Sequence, residues 1–183
     1  MHTIKICIEF IFRLMILLIP KLQHRFTWID YFPPITTIPQ GQYNSRQQPS
    51  DSNVFIFNCL FNAITSSSNG GALCCESATH MLVESCSFFS CKTSTENGGA
   101  IYFSNTNTGE CVLEKVCGND CWLTYASYPY SRGQFARIDV RDTTSNKNYV
   151  NYSSIARCVS VDYYSRHTLR LKGGMACCMS VNM

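Results

Sequence analysis

The chain has 183 residues, 15% of them charged and 13% aromatic, with 12 cysteines and a formal net charge of +3. That length supports one domain with a real core, that composition excludes a disordered chain, and so small a net charge does not by itself argue for nucleic acid. The charge is unevenly spread: residues 54–123 carry two bases against six acids, or −4, and residues 124–183 carry eight bases against three acids, or +5.

Residues 1–27 hold an apolar stretch, Ile4 to Ile19, interrupted by Lys5, Glu9 and Arg13 and ended by Pro20. A secretory signal needs roughly 7–15 unbroken apolar residues and a small-residue cleavage site, and a membrane span needs about 20. The stretch meets neither requirement. It reads as a cryptic signal or signal anchor, or as a non-native start ahead of the domain, and membrane association stays open. Residues 28–53 concentrate Pro33, Pro34, Pro39 and Pro49 with Gln, Ser and Asn, which reads as an irregular lead-in.

From Val54 the chain says nearly the same thing twice. The first copy runs Val54-Phe-Ile-Phe-Asn-Cys59-Leu-Phe61, a Ser/Thr tract, then Asn69-Gly70-Gly71-Ala72. The second runs Met81 to Val83, Cys86-Ser-Phe88, a Ser/Thr tract, then Asn97-Gly98-Gly99-Ala100. Cys59 to Cys86 is 27 residues and Gly70 to Gly98 is 28. A repeat of that length is one supersecondary unit that cannot bury its own apolar face and stacks on its neighbour. Short runs of Val, Ile, Phe, Leu and Cys between Ser, Thr, Asn and Gly are strand-and-turn chemistry without helical periodicity. Two or three strands per unit would fill the period, and the Gly-Gly pair suits a sharp corner beneath an adjacent coil. The fold predicted is an all-β parallel solenoid over residues 54–183, with coils of about 27–28 residues. Cys59, Phe61, Gly70, Gly71 and Ala72 then form a ladder with Cys86, Phe88, Gly98, Gly99 and Ala100.

The third unit is irregular. Cys111-Val-Leu-Glu-Lys-Val-Cys117 keeps the apolar-cysteine character, but no Asn-Gly-Gly-Ala follows. A turn-rich insertion near 122–134 comes instead, with Tyr125, Tyr128, Tyr130 and Arg132, and insertions leaving a solenoid corner are frequent binding sites. Strands are expected in 134–140, 149–161 and 168–171. Gly173-Gly174-Met-Ala-Cys-Cys178 echoes Gly70-Gly71-Ala-Leu-Cys-Cys75. The sequence then stops part-way into what reads as a further strand, so it is expected to be a fragment of a longer β-helix or to meet a capping partner at that end.

Asn-Gly-Gly-Ala followed by Leu or Ile, with Cys-x-Phe a dozen residues upstream, resembles the coils of right-handed β-helix proteins of the pectin-lyase-like superfamily. It is similar to the Gly-Gly-Ala-Ile repeats of chlamydial polymorphic outer-membrane proteins and to the uncharacterised β-helix families of trichomonads. The trichomonad likeness extends through Gly109 to Cys121 and Asn148 to Ile155. The chlamydial repeats pair their motif with Phe-x-x-Asn, whereas here the positions read Phe61-x-x-Ile64 and Phe88-x-x-Cys91. The resemblance implies a right-handed β-helix, with either a surface protein or an enzyme acting on acidic polysaccharides.

An enzyme of that kind needs clustered carboxylates with a neighbouring cation. The nearest pair of aspartates is Asp139 and Asp142, beside Arg137 and Arg141, and this reads as outward charge on an alternating strand. No catalytic residue, cofactor or metal site is assigned. Cysteine spacings such as Cys86-x4-Cys91 leave zinc open, but there is no Cys-x-x-Cys; disulfides are the other alternative, and buried apolar packing of Cys59 and Cys86 is preferred. The reading is a non-catalytic binding or adhesion-type protein, extracellular or on a cell surface rather than cytoplasmic. An intracellular scaffold is the alternative. Its partner is a protein or glycan surface and not nucleic acid, and Asn151 is the one glycosylation sequon.

Overall fold

The computed structural model describes residues 28–32, 36–38, 40–94, 97–124, 133–159 and 167–183. The apolar stretch 1–27 lies outside them, as do Tyr125, Tyr128, Tyr130 and Arg132. Residues 1–34 and 35–183 are two separate compact units. In the first, α1 (Trp28–Tyr31) is one helical turn. The Phe32 N–H donates to the Trp28 carbonyl at 2.8 Å, with the two rings 4.9 Å apart.

The second unit is a parallel β-helix. It opens with β1 (Thr36–Ile38) and β2 (Gln42–Tyr43). The first coil holds β3 (Asn53–Phe57), β4 (Leu60–Asn62), β5 (Thr65–Ser66) and β6 (Leu73–Cys75). The second holds β7 (His80–Glu84), β8 (Ser87–Phe89), β9 (Lys92–Thr93) and β10 (Ile101–Asn105). In the third are β11 (Glu110–Glu114), β12 (Cys117–Asn119), β13 (Trp122–Leu123) and β14 (Ala136–Val140). The fourth shows β15 (Lys147–Asn151), β16 (Ser154–Ala156) and β17 (Leu169–Lys172), and β18 (Met175–Met179) follows. They stack into four parallel sheets: β1-β3-β7-β11-β15-β18, β2-β4-β8-β12-β16, β5-β9-β13 and β6-β10-β14-β17.

Two expectations change. A coil has four short strands, not two or three, because two of its corners carry no glycine or proline to mark them. The sheets also begin before residue 53: β1 pairs with β3, β2 with β4, and Gln47 bridges to Leu73. Pro49 falls between Gln47 and β3, where no ladder N–H is needed.

The coil step is not constant. Asn53 pairs with His80, His80 with Glu110, Cys111 with Asn148 and Lys147 with Met175, giving steps of 27, 30, 37 and 28 residues. The connection between the third and fourth sheets accounts for part of the growth. Ser66 to Leu73 is 7 residues, Thr93 to Ile101 is 8 and Leu123 to Ala136 is 13, at matching registers. The 30-residue step also moves the third coil's register: Ser87 pairs with Cys117, so Cys86 stacks on Val116 and Cys117 takes an exposed outward position. The Gly173-Gly174 echo does not hold either. Cys177 and Cys178 lie in the first sheet on β18, whereas Cys74 and Cys75 lie in the fourth on β6, so the two Gly-Gly pairs turn different corners.

Strand alternation puts Val54 and Ile56, Met81 and Val83, and Cys111 and Leu113 inward from the first sheet, all buried in one core. The fourth sheet contributes Leu73 and Cys75, Ile101 and Phe103, and Ala136 and Ile138. From the second sheet comes an aromatic stack. Tyr43 and Phe61 lie 5.2 Å apart, and Phe61 and Phe88 lie 4.6 Å apart with planes 2° from parallel. The stack ends at Gly118, in register with Phe88. There Phe135 crosses it edge-on, its ring 5.8 Å from Phe88 and at 81°. A Cβ on Gly118 would sit 2.4 Å from the Phe135 ring. Gly118→Ala is therefore expected to cost about 1–3 kcal/mol by overpacking, read as a lower urea midpoint. Phe135→Leu in the same chain should recover part of that loss.

The unmarked corners use left-handed residues other than glycine. One column is Asn58, Ser85, Lys115, Tyr152 and Ser180, the other Ala63, Ser90, Asp120 and Arg157, all with φ between 48° and 58°. Such residues cost about 1–2 kcal/mol each, so the corners need compensation. Their own N–H groups donate up the stack, Ser85 to the Glu114 carbonyl at 2.9 Å and Ser90 to that of Asn119 at 3.0 Å. After Asn58, Ser90, Lys115 and Asp120, the next N–H in the chain finds a side chain of the coil above. Cys59 N–H donates to Cys86 Sγ, Cys91 N–H to Cys121 Sγ and Cys121 N–H to Cys158 Sγ, each at 3.4 Å. Val116 N–H meets Ser153 Oγ at 3.1 Å in the same way. Each of these side chains donates in turn to the carbonyl two residues before it. Cysteine here fills the core and closes a backbone hydrogen bond, and none of the eleven described cysteines is in a disulfide.

Burial sets the acidity of other thiols. It pushes Cys75 up to about 12 from an ordinary 9.0, and raises the fully buried Cys111 well above that value. An unfolded chain ionises these thiols from about pH 9 while the folded chain still holds their protons, so raising the pH favours unfolding. The urea midpoint is expected to fall between pH 9 and about 12, and Cys75→Ala should reduce that slope.

Candidate functional site

The ten ladder residues lie as adjacent pairs. Phe61 is in register with Phe88, and Cys59 accepts through its carbonyl from Ser87 at 2.9 Å, placing it under Cys86. Gly71 N–H donates to Gly99 O at 3.1 Å, and Ala72 N–H to Ala100 O at 2.9 Å. All ten are buried. Their third-coil counterparts are Gly133, Gln134 and Phe135, since Ile101 pairs with Ala136. Gln134 replaces the second glycine, and its Oε1 accepts from Leu123 N–H at 3.0 Å.

Outside this ladder, the Ser/Thr tract of the first coil opens a polar cleft of about 360 Å³, lined by Arg46, Gln48, Ser67, Ser68, Asn69 and Glu76. Its floor is fixed by hydrogen bonds. Ser68 N–H donates to Ser66 Oγ at 3.0 Å, Thr93 Oγ1 donates to the Ser68 carbonyl, and Asn97 Nδ2 donates to Asn69 Oδ1 at 3.1 Å. Arg46 ties the lead-in to this loop. Its Nε donates to Gly70 O at 2.9 Å, Nη2 to Asn69 O at 2.9 Å and Nη1 to Gln48 Oε1 at 2.7 Å. Glu76 is exposed at the other side of the cleft. Both charges reach the buried Cys74 thiol, whose pKa is raised first by burial, with Arg46 lowering it and Glu76 raising it. Nothing in the sequence signals this cleft, because Arg46 and Gln48 sit in the lead-in and come beside residues 67–76 once Gln47 bridges to Leu73 and Arg46 closes on Asn69 and Gly70.

Residues 58–76 match the Chlamydia polymorphic membrane protein repeat. The match spans both unmarked corners and the Gly70-Gly71 turn of the first coil, and it includes Ser67, Ser68, Asn69 and Glu76 of the cleft. No curated protein and no solved structure matches the chain.

Arg137 and Asp139 stand on the outer row of β14 as an ion pair at 2.6 Å. Arg137 also donates to Asn97 Oδ1 and lies 5.9 Å from the Tyr102 ring. Two carboxylates missed in the sequence, Glu84 and Glu114, are in register on β7 and β11, and they are 2% and 0% exposed. A second polar column crosses the first sheet: His80 Nδ1 lies 2.7 Å from Asn53 Oδ1, and Lys147 Nζ pairs with Glu110 Oε2 at 3.0 Å. Burial lowers the His80 pKa, with Glu110 opposing it. Among the described residues, no group of three or more His, Cys, Asp or Glu could hold a metal ion. Asn151 is only 6% exposed at the end of β15, so a glycan on it would require its side chain to leave the sheet. No helix among the described residues is long and apolar enough to cross a membrane.

Proposed function

We propose that this chain is a non-catalytic binding protein of the adhesion type, secreted or displayed on a cell surface, built on the β-helix scaffold of the pectin-lyase-like superfamily. The observation that carries this reading is the match of residues 58–76 to a repeat of membrane proteins. It is supported by the polar cleft between that coil and the lead-in. The burial of Glu84 and Glu114 and the ion pair that occupies Asp139 favour binding over carbohydrate cleavage. A protein or glycan surface is the partner this reading expects. Two measurements test it. Intact cells producing the chain should expose it to a membrane-impermeant amine label, and purified protein should bind cell monolayers without cleaving polygalacturonate in the presence of calcium. Labelling only after lysis, or uronate release, would sink it.

A second reading, an intracellular structural scaffold, draws on the thiol columns, since no described cysteine is in a disulfide and several thiols are committed to backbone hydrogen bonds. Reducing compartments preserve such thiols. Exclusive labelling after lysis is the outcome that selects it.

A further inference from the structure

We propose that the cleft between the lead-in and the first coil binds a neutral, hydroxyl-rich ligand: a pyranose ring at the end of a glycan. The proposal deepens the binding reading above and rests on it. A volume of about 360 Å³ lies at the small end of ligand pockets, which run from roughly 300 to 1,000 Å³. All six lining side chains are polar, so an apolar ligand finds nothing to bury against.

The charges narrow the class. Among the described residues one guanidinium and one carboxylate line the cleft, and together they carry no net charge to attract an anion. Arginine grips carboxylates and phosphates through two parallel N–H bonds. In Arg46 the Nε and Nη2 edge is already closed on the carbonyls of Asn69 and Gly70, and Nη1 serves Gln48. One N–H on each of Nη1 and Nη2 remains, and an anion there would also face Glu76. Hydroxyls suit this set, since each can accept one N–H and donate to a carboxylate or amide oxygen. The Ser67 and Ser68 hydroxyls and the Asn69 amide, whose Oδ1 already accepts from Asn97, supply further single bonds. The floor is held by Ser66, Thr93 and Asn97, so little ordering is required on binding.

Saturation-transfer NMR on the full chain, with millimolar methyl glycosides of glucose, galactose, mannose and N-acetylglucosamine, tests this. At least one glycoside should receive saturation on its ring protons. Ser67→Trp, which fills the cleft, and Glu76→Gln, which removes its acceptor charge, should each weaken that binding at least tenfold while the urea midpoint stays unchanged. Transfer to no glycoside, or equal transfer in wild type and both variants, overturns the proposal. So does selective binding of inorganic phosphate or glycine, which would make the cleft an anion or zwitterion site. Cell-monolayer binding separates this proposal from the broader reading. If wild type and Ser67→Trp bind cells equally and no glycoside binds, the cleft proposal falls and the surface reading stands. If a glycoside binds at the cleft and no cells are bound, the surface reading falls alone.

Discussion

Gly99→Ala is expected to lower the stability of the β-helix by about 3–4 kcal/mol. A Cβ at this position would lie 2.0 Å from the Gln134 carbonyl oxygen and 2.6 Å from the Trp122 carbonyl carbon. Both are backbone atoms of the next coil, so no rotamer change relieves the clash and the coils must separate locally. Separation also strains the Gly99 N–H bond to Gln134 O, 3.0 Å long. Urea unfolding measures the effect, with Gly41→Ala as control. Nothing lies within 4 Å of a Cβ on Gly41, so that change should stay within about 0.5 kcal/mol. A Gly99→Ala chain within 1 kcal/mol of wild type would mean that the coils are not stacked as described.

Cys121→Ala should be the second large effect, at about 2–4 kcal/mol. It strips the acceptor from the Cys91 N–H and removes a thiol in contact with the Asn119 and Phe88 carbonyls. A buried donor left without a partner costs about 1–3 kcal/mol, and the lost side-chain burial adds about 1 kcal/mol. Cys121→Ser separates these contributions. Ser153 already fills the equivalent role in the other corner column, accepting at 3.1 Å and donating at 2.8 Å. Serine at 121 should therefore retain more than half of what alanine loses, and hydrogen exchange at the Cys91 amide should stay slow in Cys121→Ser and quicken in Cys121→Ala. Equal losses would show that the thiol acts only by filling space.

The stacked coils were legible because two copies sit side by side with Asn-Gly-Gly-Ala in each, and a Gly-Gly pair marks a sharp corner. Gly70 and Gly98 stand at φ 68° and 61°, the conformation for which glycine is the usual residue. The other two corners were not legible. Asn58, Ser85 and Lys115 share a conformation but no chemistry, and compensation comes from one coil further on, a thiol above the residue after Asn58 and a serine hydroxyl above the residue after Lys115. The third coil misled for a related reason. Cys117 looked like the successor of Cys86, whereas register gives that place to Val116. The cleft was hidden because its arginine belongs to a segment whose prolines argued against any sheet.

The uneven coil steps also bear on how the molecule responds to load. Neighbouring coils are joined by parallel ladders, side-chain hydrogen bonds and core packing that link each coil to the next, so tension between the two ends peels one coil away before the next is strained. Each release lets out the residues of one step, from 27 in the shortest full coil to 37 in the longest. At about 3.3–3.6 Å of reach per residue, the slack freed ranges from roughly 90 to 130 Å, so the order of detachment would be written in the sizes of the jumps. A tether built this way yields in graded lengths and does not snap all at once.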